Sequence, residues 1–232
     1  MQTVLAIDTS TAACSAALWQ GGAVRARRYE VLGRGHAENL MAMIDDVNRE
    51  AGVAPDALTL IAVTTGPGAF TGIRLGLATA RGLALALGIP CAGFTTTETM
   101  AAAVRAEPGE AVVAVLDSKR GDFYVQVFDG EAKALSAAAV ASAEGLAGIV
   151  AAAVPAGAGC VLAGDVQEDA AKIIASAGFR VRPSEVVTPD AGVLAGLAAG
   201  RGEAGAAPAR PAPLYLRPAD ATPAKRGGRI RE

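Results

Sequence analysis

Two segments far apart in the chain follow one pattern. Val4-Leu5-Ala6-Ile7-Asp8 and Val113-Ala114-Val115-Leu116-Asp117 each run as an apolar strand into an acid, then a short polar loop, then a second strand. Repetition of a strand–acid–loop–strand unit points to duplication of a β-hairpin-plus-helix block. The 232 residues suffice for one large domain or two small ones with a real core. Pro108-Gly109 is the expected boundary, giving residues 1–108, 109–205 and a Pro/Ala/Arg-rich tail over 206–232. That tail is expected to be extended or disordered after Arg217.

In the first half, Thr3–Ile7, Ala13–Trp19 and Val24–Glu30 read as an antiparallel meander, with Gly21-Gly22 as a turn. A helix is predicted over Ala37–Ala51, where Ala37, Leu40, Met41, Ile44, Val47 and Ala51 form one stripe. Leu58–Val63 reads as a buried strand, Thr71–Leu87 as a long helix, Ile89–Ala92 as a strand and Thr96–Arg105 as a helix. Helices near Ala143–Ala152, Val166–Ala177 and Ala191–Ala199, with strands near Phe123–Phe128, Cys160–Ala163 and Phe179–Val181, fill the second half.

Composition excludes several functions. His36 is the single histidine, so no His₂ or His₃ metal site fits within the chain. Cys14, Cys91 and Cys160 are scattered and lack any C-x-x-C, which reads as buried thiols in a reducing compartment. Aromatics are 4%, a poor basis for a base-stacking platform. A net charge of −2 excludes a globally basic nucleic-acid binder. The N-terminus reaches Asp8 too soon for a signal peptide, and Pro155, Gly157 and Gly159 cut the longest uncharged run. The expectation is a soluble cytoplasmic protein without a membrane span.

Three places carry chemistry-bearing residues. Asp8-Thr9-Ser10 joins two strands and is suited either to gripping a phosphate or to local turn bonding. Gly66-Pro67-Gly68-Ala69-Phe70-Thr71-Gly72 joins a strand to a helix N-terminus. Gly66, Gly68 and Thr71 thus stand where free N–H groups attract anions, or where glycine permits close packing. It is neither a P-loop nor a dinucleotide fingerprint, because its spacing is G-x-G-x-x-x-G with no Lys after it. Asp117-Ser118-Lys119-Arg120 is an anion site or a solvated turn.

The Thr71–Leu87 helix is apolar nearly all round, which implies a partner, or else simple Ala/Leu richness. Gly72 and Gly76 are expected to pack within the lobe. The expected partner surface is Arg74, Leu77, Arg81 and Leu85, joined by Leu40, Met41 or Ile44. On this reading Leu77→Glu leaves a folded monomer.

These residues resemble the TsaB (YeaZ) family. The resemblance rests on Ile7-Asp8-Thr9-Ser10, on His36-Ala37-Glu38-Asn39-Leu40, and on Thr65 to Arg74 with the Gly76–Ala84 stretch. Leu116 to Tyr124 and the closing Pro213-Leu214-Tyr215-Leu216-Arg217 complete it. It implies an α/β, actin-like/Hsp70-like (ASKHA) fold of two related lobes, mixed sheets flanked by helices. It also implies partnership with the paralogue TsaD and the ATPase TsaE in placing a threonylcarbamoyl group on N6 of a tRNA adenosine beside the anticodon. Where TsaD carries two metal-ligating histidines, this chain has Thr96 and Met100. The resemblance therefore implies a non-catalytic scaffold subunit with no catalytic or metal residues and no cofactor of its own, ATP and a metal being used by the complex. A homodimer is a further possible assembly. The alternatives are an actin-like small-molecule kinase or ATPase using Asp8 and the Gly66–Gly72 loop, and a self-associating module.

Overall fold

The computed structural model describes residues 2–201 and 210–217. Its two five-stranded sheets have the same topology. In the first, β1 (Thr3–Asp8), β2 (Ala13–Gln20) and β3 (Ala23–Val31) form the antiparallel meander. Strands β4 (Leu60–Thr64) and β5 (Cys91–Phe94) extend it in parallel, in the order β3-β2-β1-β4-β5. In the second, β6 (Glu110–Asp117), β7 (Phe123–Phe128) and β8 (Ala139–Ala141) are antiparallel, and β9 (Gly159–Ala163) and β10 (Arg180–Pro183) continue in parallel from β6. The order β10-β9-β6-β7-β8 repeats the first strand for strand, so the repeated strand–acid pattern does mark two related lobes.

Period-2 alternation decides what each face of β1 meets. Leu5 and Ile7 point toward helices α1 (His36–Ala51) and α2 (Phe70–Leu87), packing with Leu40, Ile44, Val47, Ile73 and Leu77. Val4 and Ala6 point the other way, onto helix α6 (Ala191–Arg201) through Ala191, Leu194, Ala195 and Ala198. Alanines on both sides of that contact leave short side chains between helix and sheet. In the second lobe, Val113 and Val115 meet α4 (Ala143–Ala153) and α5 (Gln167–Ser176), while Val112 and Leu116 face away from them. Helix α3 (Thr96–Ala101) covers that opposite face through Met100 and Ala101.

Each half therefore lends its third helix to the other half's sheet. The expected boundaries at 108 and 205 need correction on this point. Helix α6, placed with residues 109–205, lies on the first sheet, and α3 lies on the second. Sequence order cannot show such an exchange, because both helices have apolar faces that fit either sheet. Strand β5 also begins later than expected, β8 was not anticipated, and α3 ends at Ala101 instead of Arg105.

Within the expected tail over 206–232, residues 210–217 form no helix or strand and pack against the first lobe as far as Tyr215. Pro211 is buried, and the Leu214 N–H donates to the Thr65 carbonyl at 2.8 Å. Residues 218–232, where the disordered tail was expected, lie outside the described residues. Helix α2 is long and apolar enough to cross a membrane by those measures alone, but Ile73, Leu77, Ala80 and Ala84 bury its inner face in the lobe.

Candidate functional site

Strand β1 ends in Asp8, whose side chain is fully buried. Its Oδ1 accepts from the Ser10 hydroxyl at 2.7 Å, the Ser10 N–H at 3.2 Å and the Thr64 hydroxyl at 2.6 Å. Its Oδ2 has no partner among the described residues. Burial raises the Asp8 carboxyl from 3.8 to about 6, against the lowering effect of those three donors and of nearby His36. The carboxylate thus ties the β1–β2 loop to the end of β4.

The glycine-rich segment lies directly on that loop. A Cβ on Gly68 would stand 2.1 Å from the Ser10 carbonyl oxygen, and one on Gly76 would stand 2.6 Å from Thr9 Oγ1. The Ala69 N–H donates to the Ser10 carbonyl at 2.7 Å, and the Thr9 hydroxyl donates to the Gly72 carbonyl at 2.7 Å. Of the residues expected in phosphate-facing loops, Thr9 and Ser10 lie in close contact with Gly68 and with the start of α2, whereas Gly66 lies against Ile73 and the Leu214 carbonyl. Protein oxygen fills the space between the two segments, and Asp8, Thr9 and Ser10 are buried. Thr71 stays exposed on the first turn of α2. Close packing, the plainer of the two readings of these glycines, is what the geometry uses.

His36 braces the same loop. Its Nε2 faces the Thr11 and Ala13 carbonyls at 3.0 and 3.1 Å, so that nitrogen carries the proton and donates. In the second lobe, Asp117 is instead half-buried, its side chain reached by Lys119. Lys119 Nζ sits 2.9 Å from one Asp117 oxygen and 3.8 Å from Asp165, and this pairing lowers the Asp117 carboxyl and raises the Lys119 amine. The lysine is already matched by two carboxylates, which weakens the anion-site reading of this turn. Among the described residues no group of three His, Cys, Asp or Glu side chains is placed to hold a metal ion.

The expected partner surface divides. Leu40, Ile44 and Leu77 are core residues, at 1%, 3% and 3% exposure, and are removed from it. The periodicity placed Leu77 beside Arg74 and Arg81, but the α2 axis turns it down onto the sheet. Met41, Arg74, Arg81 and Leu85 do face solvent, Leu85 being 74% exposed. Sequence reasoning missed two companions, Phe70 and Tyr215. Their rings stack at 5.7 Å; the Arg74 guanidinium lies 3.7 Å over Phe70, and its Nε donates to the Tyr215 hydroxyl at 2.8 Å. Both residues stand in motifs already singled out, and their meeting across the fold was the missing information.

With this geometry in view, solved structures supply a match over nearly the whole chain. YeaZ from Pseudomonas aeruginosa aligns with a TM-score of 0.79 at 33% identity, over 93% of this chain and 100% of that one. The chain belongs to the TsaB/YeaZ family. Residues 29–176 also match the family described as TsaD, tRNA N6-adenosine threonylcarbamoyltransferase. Escherichia coli TsaB, a tRNA threonylcarbamoyladenosine biosynthesis protein, is 39% identical over 122 residues, which is 52% of each chain. The chain thus matches about half the length of the curated TsaB relatives. A ROK hexokinase from Thermus thermophilus, at 16% identity and a TM-score of 0.52, shares the fold alone. The two-lobed architecture of the TsaB/YeaZ chain is the actin-like one expected.

Proposed function

We propose that this chain is a non-catalytic subunit of a bacterial tRNA threonylcarbamoyladenosine-forming complex. It supports TsaD, with the ATPase TsaE, in acyl transfer to N6 of a tRNA adenosine. The observation that carries this reading is the seal over Asp8. The carboxylate that a phosphotransferase would need at its cleft is fully buried and bonded to Ser10 and Thr64. The E. coli relative is a threonylcarbamoyladenosine biosynthesis protein, and that pathway comes to this chain by its family membership.

On this reading the outer surface matters more than any cleft. Met41, Phe70, Arg74, Arg81, Leu85 and Tyr215 are exposed apolar and cationic groups available to a partner. Aromatic and arginine side chains are those that most often dominate binding energy at an interface. ATP and the metal are used elsewhere in the complex, and the work is cytoplasmic.

Reconstitution tests the proposal. Purified TsaD, TsaE, ATP, threonylcarbamoyl-adenylate and an unmodified tRNA should form threonylcarbamoyladenosine, with AMP leaving from the adenylate, when this chain is added and fail to when it is left out. Equal product without it would end the scaffold reading. Sustained ATP hydrolysis by the isolated chain would favour the kinase or ATPase alternative.

A further inference from the structure

The closing motif Pro213-Leu214-Tyr215-Leu216-Arg217 has more contacts than a surface tail needs. Pro211 Cβ lies 2.8 Å from where a Cβ on Gly93 would stand, so β5 admits the proline because residue 93 is glycine. Leu214 bonds to Thr65 just past the end of β4, and its own carbonyl lies 3.3 Å from the place of a Gly66 Cβ. Tyr215 is held by Phe70 and Arg74. All of these anchors belong to the first lobe.

Arg217 then crosses to the second lobe. Its guanidinium pairs with the carboxylate of Asp122, in the turn between β6 and β7. That turn is closed by the Ser118 N–H donating to the Asp122 carbonyl at 3.0 Å. Both side chains of the pair are about seven-tenths buried, at 30% and 29% exposure, so the pair is better shielded from solvent than an open surface salt bridge. Strands β1, β4 and β6 all end on this rim, at Asp8, Thr64 and Asp117. Among the described residues the lobes are also linked by the exchanged helices α3 and α6, which lie against the sheet faces away from α1, α2, α4 and α5, and beside α6 by the Tyr29–Thr188 hydroxyl contact and the Arg27–Asp190 pair.

We propose that residues 210–217 are an intramolecular strap between the two lobes, with the Arg217–Asp122 pair as its latch. With the latch closed, the lobes are fixed both at the rim and at α3 and α6. With it open, the rim contact is lost and the lobes turn about the crossing of α3 and α6, where Tyr29–Thr188 and Arg27–Asp190 also lie. Tyr215 belongs at once to the strap and to the exposed surface of α2, so contact at that surface bears directly on the strap.

Charge exchange on the full chain tests the latch. Spin labels at Glu38→Cys in α1 and Glu168→Cys in α5, both exposed positions on different lobes, report the interlobe distance. Arg217→Glu should broaden that distribution and speed amide exchange at Leu214 by about fivefold or more, within the range of coupled charge pairs. Adding Asp122→Arg should restore both readouts. An unchanged distance distribution in Arg217→Glu, or a double variant no closer to the wild type than the single one, overturns the proposal. Should Arg217→Glu not fold, Arg217→Gln carries the same expectation, and an unaltered distribution there overturns it equally.

Discussion

The carbonyl oxygen of Thr9 lies 2.0 Å from the point that a Cβ on Gly72 would occupy. No rotamer change relieves such a clash, because both parties are backbone. Gly72→Ala should therefore push α2 off the β1–β2 loop and cost at least about 3 kcal/mol. Gly82, in the same helix, has nothing within 4 Å of its Cβ position. Gly82→Ala should stabilise by about 0.5–1 kcal/mol through helix propensity alone. Urea unfolding of the two variants, side by side, checks the contrast.

Leu77 and Leu85 should separate core from surface. Leu77 packs with Ile7, Ile61 and Ile73 in the first-lobe core, so Leu77→Ala should lose about 2–5 kcal/mol of stability and Leu77→Glu should unfold the chain. Leu85→Glu should leave the melting curve nearly unchanged. On the proposed function it should weaken pairing with TsaD by about 2 kcal/mol, the usual threshold for an interface hot spot. Circular dichroism and titration calorimetry decide between these outcomes.

Asp8 sets a pH dependence of definite sign. Its carboxyl, ordinarily near 3.8, is raised by burial to about 6 in the folded chain. The folded chain therefore holds that proton more tightly than the unfolded one. The associated stability is fully present below pH 3.8 and is lost as pH rises through 6. The loss amounts to about 3 kcal/mol at most. Asp8→Asn, which cannot ionise, should flatten stability between pH 4 and 7 relative to the wild type. Parallel slopes for the two proteins in denaturant titrations across that range would contradict the assignment.

The cysteines should be slow to react. Burial raises Cys14 and Cys160 to about 11, with Asp8 and Glu30 adding to the effect at Cys14 and Glu110 at Cys160. Cys91 is raised equally by burial, with Arg81 opposing, and it is the least covered of the three. Thiol labelling at pH 8 in native buffer should reach Cys91 first, and Cys14 and Cys160 at full rate only after unfolding.

Local pattern alone determined much of this protein. Period-2 alternation and turn glycines set β1, β2, β3, β6 and β7, and a 3.6-residue stripe set α1. The repeat of Val4–Asp8 in Val113–Asp117 announced two related lobes, since each strand's pattern reports the environment of its own two faces. The order of the glycine-rich segment and the flanking motifs was enough to suggest the family. Tertiary structure decided the rest, because it concerned which surfaces meet. Leu77 and Leu85 are both leucines in one apolar helix, and only the sheet beneath α2 makes the first a core residue and the second a surface one. The glycines at 68 and 72 had two physical uses, and the Ser10 and Thr9 carbonyls chose between them. The exchange of α3 and α6 between sheets, and the path of Pro211 to Arg217 across both lobes, join residues distant in the chain. No local periodicity encodes such pairings, because they depend on complementary surfaces that exist only once both lobes have folded.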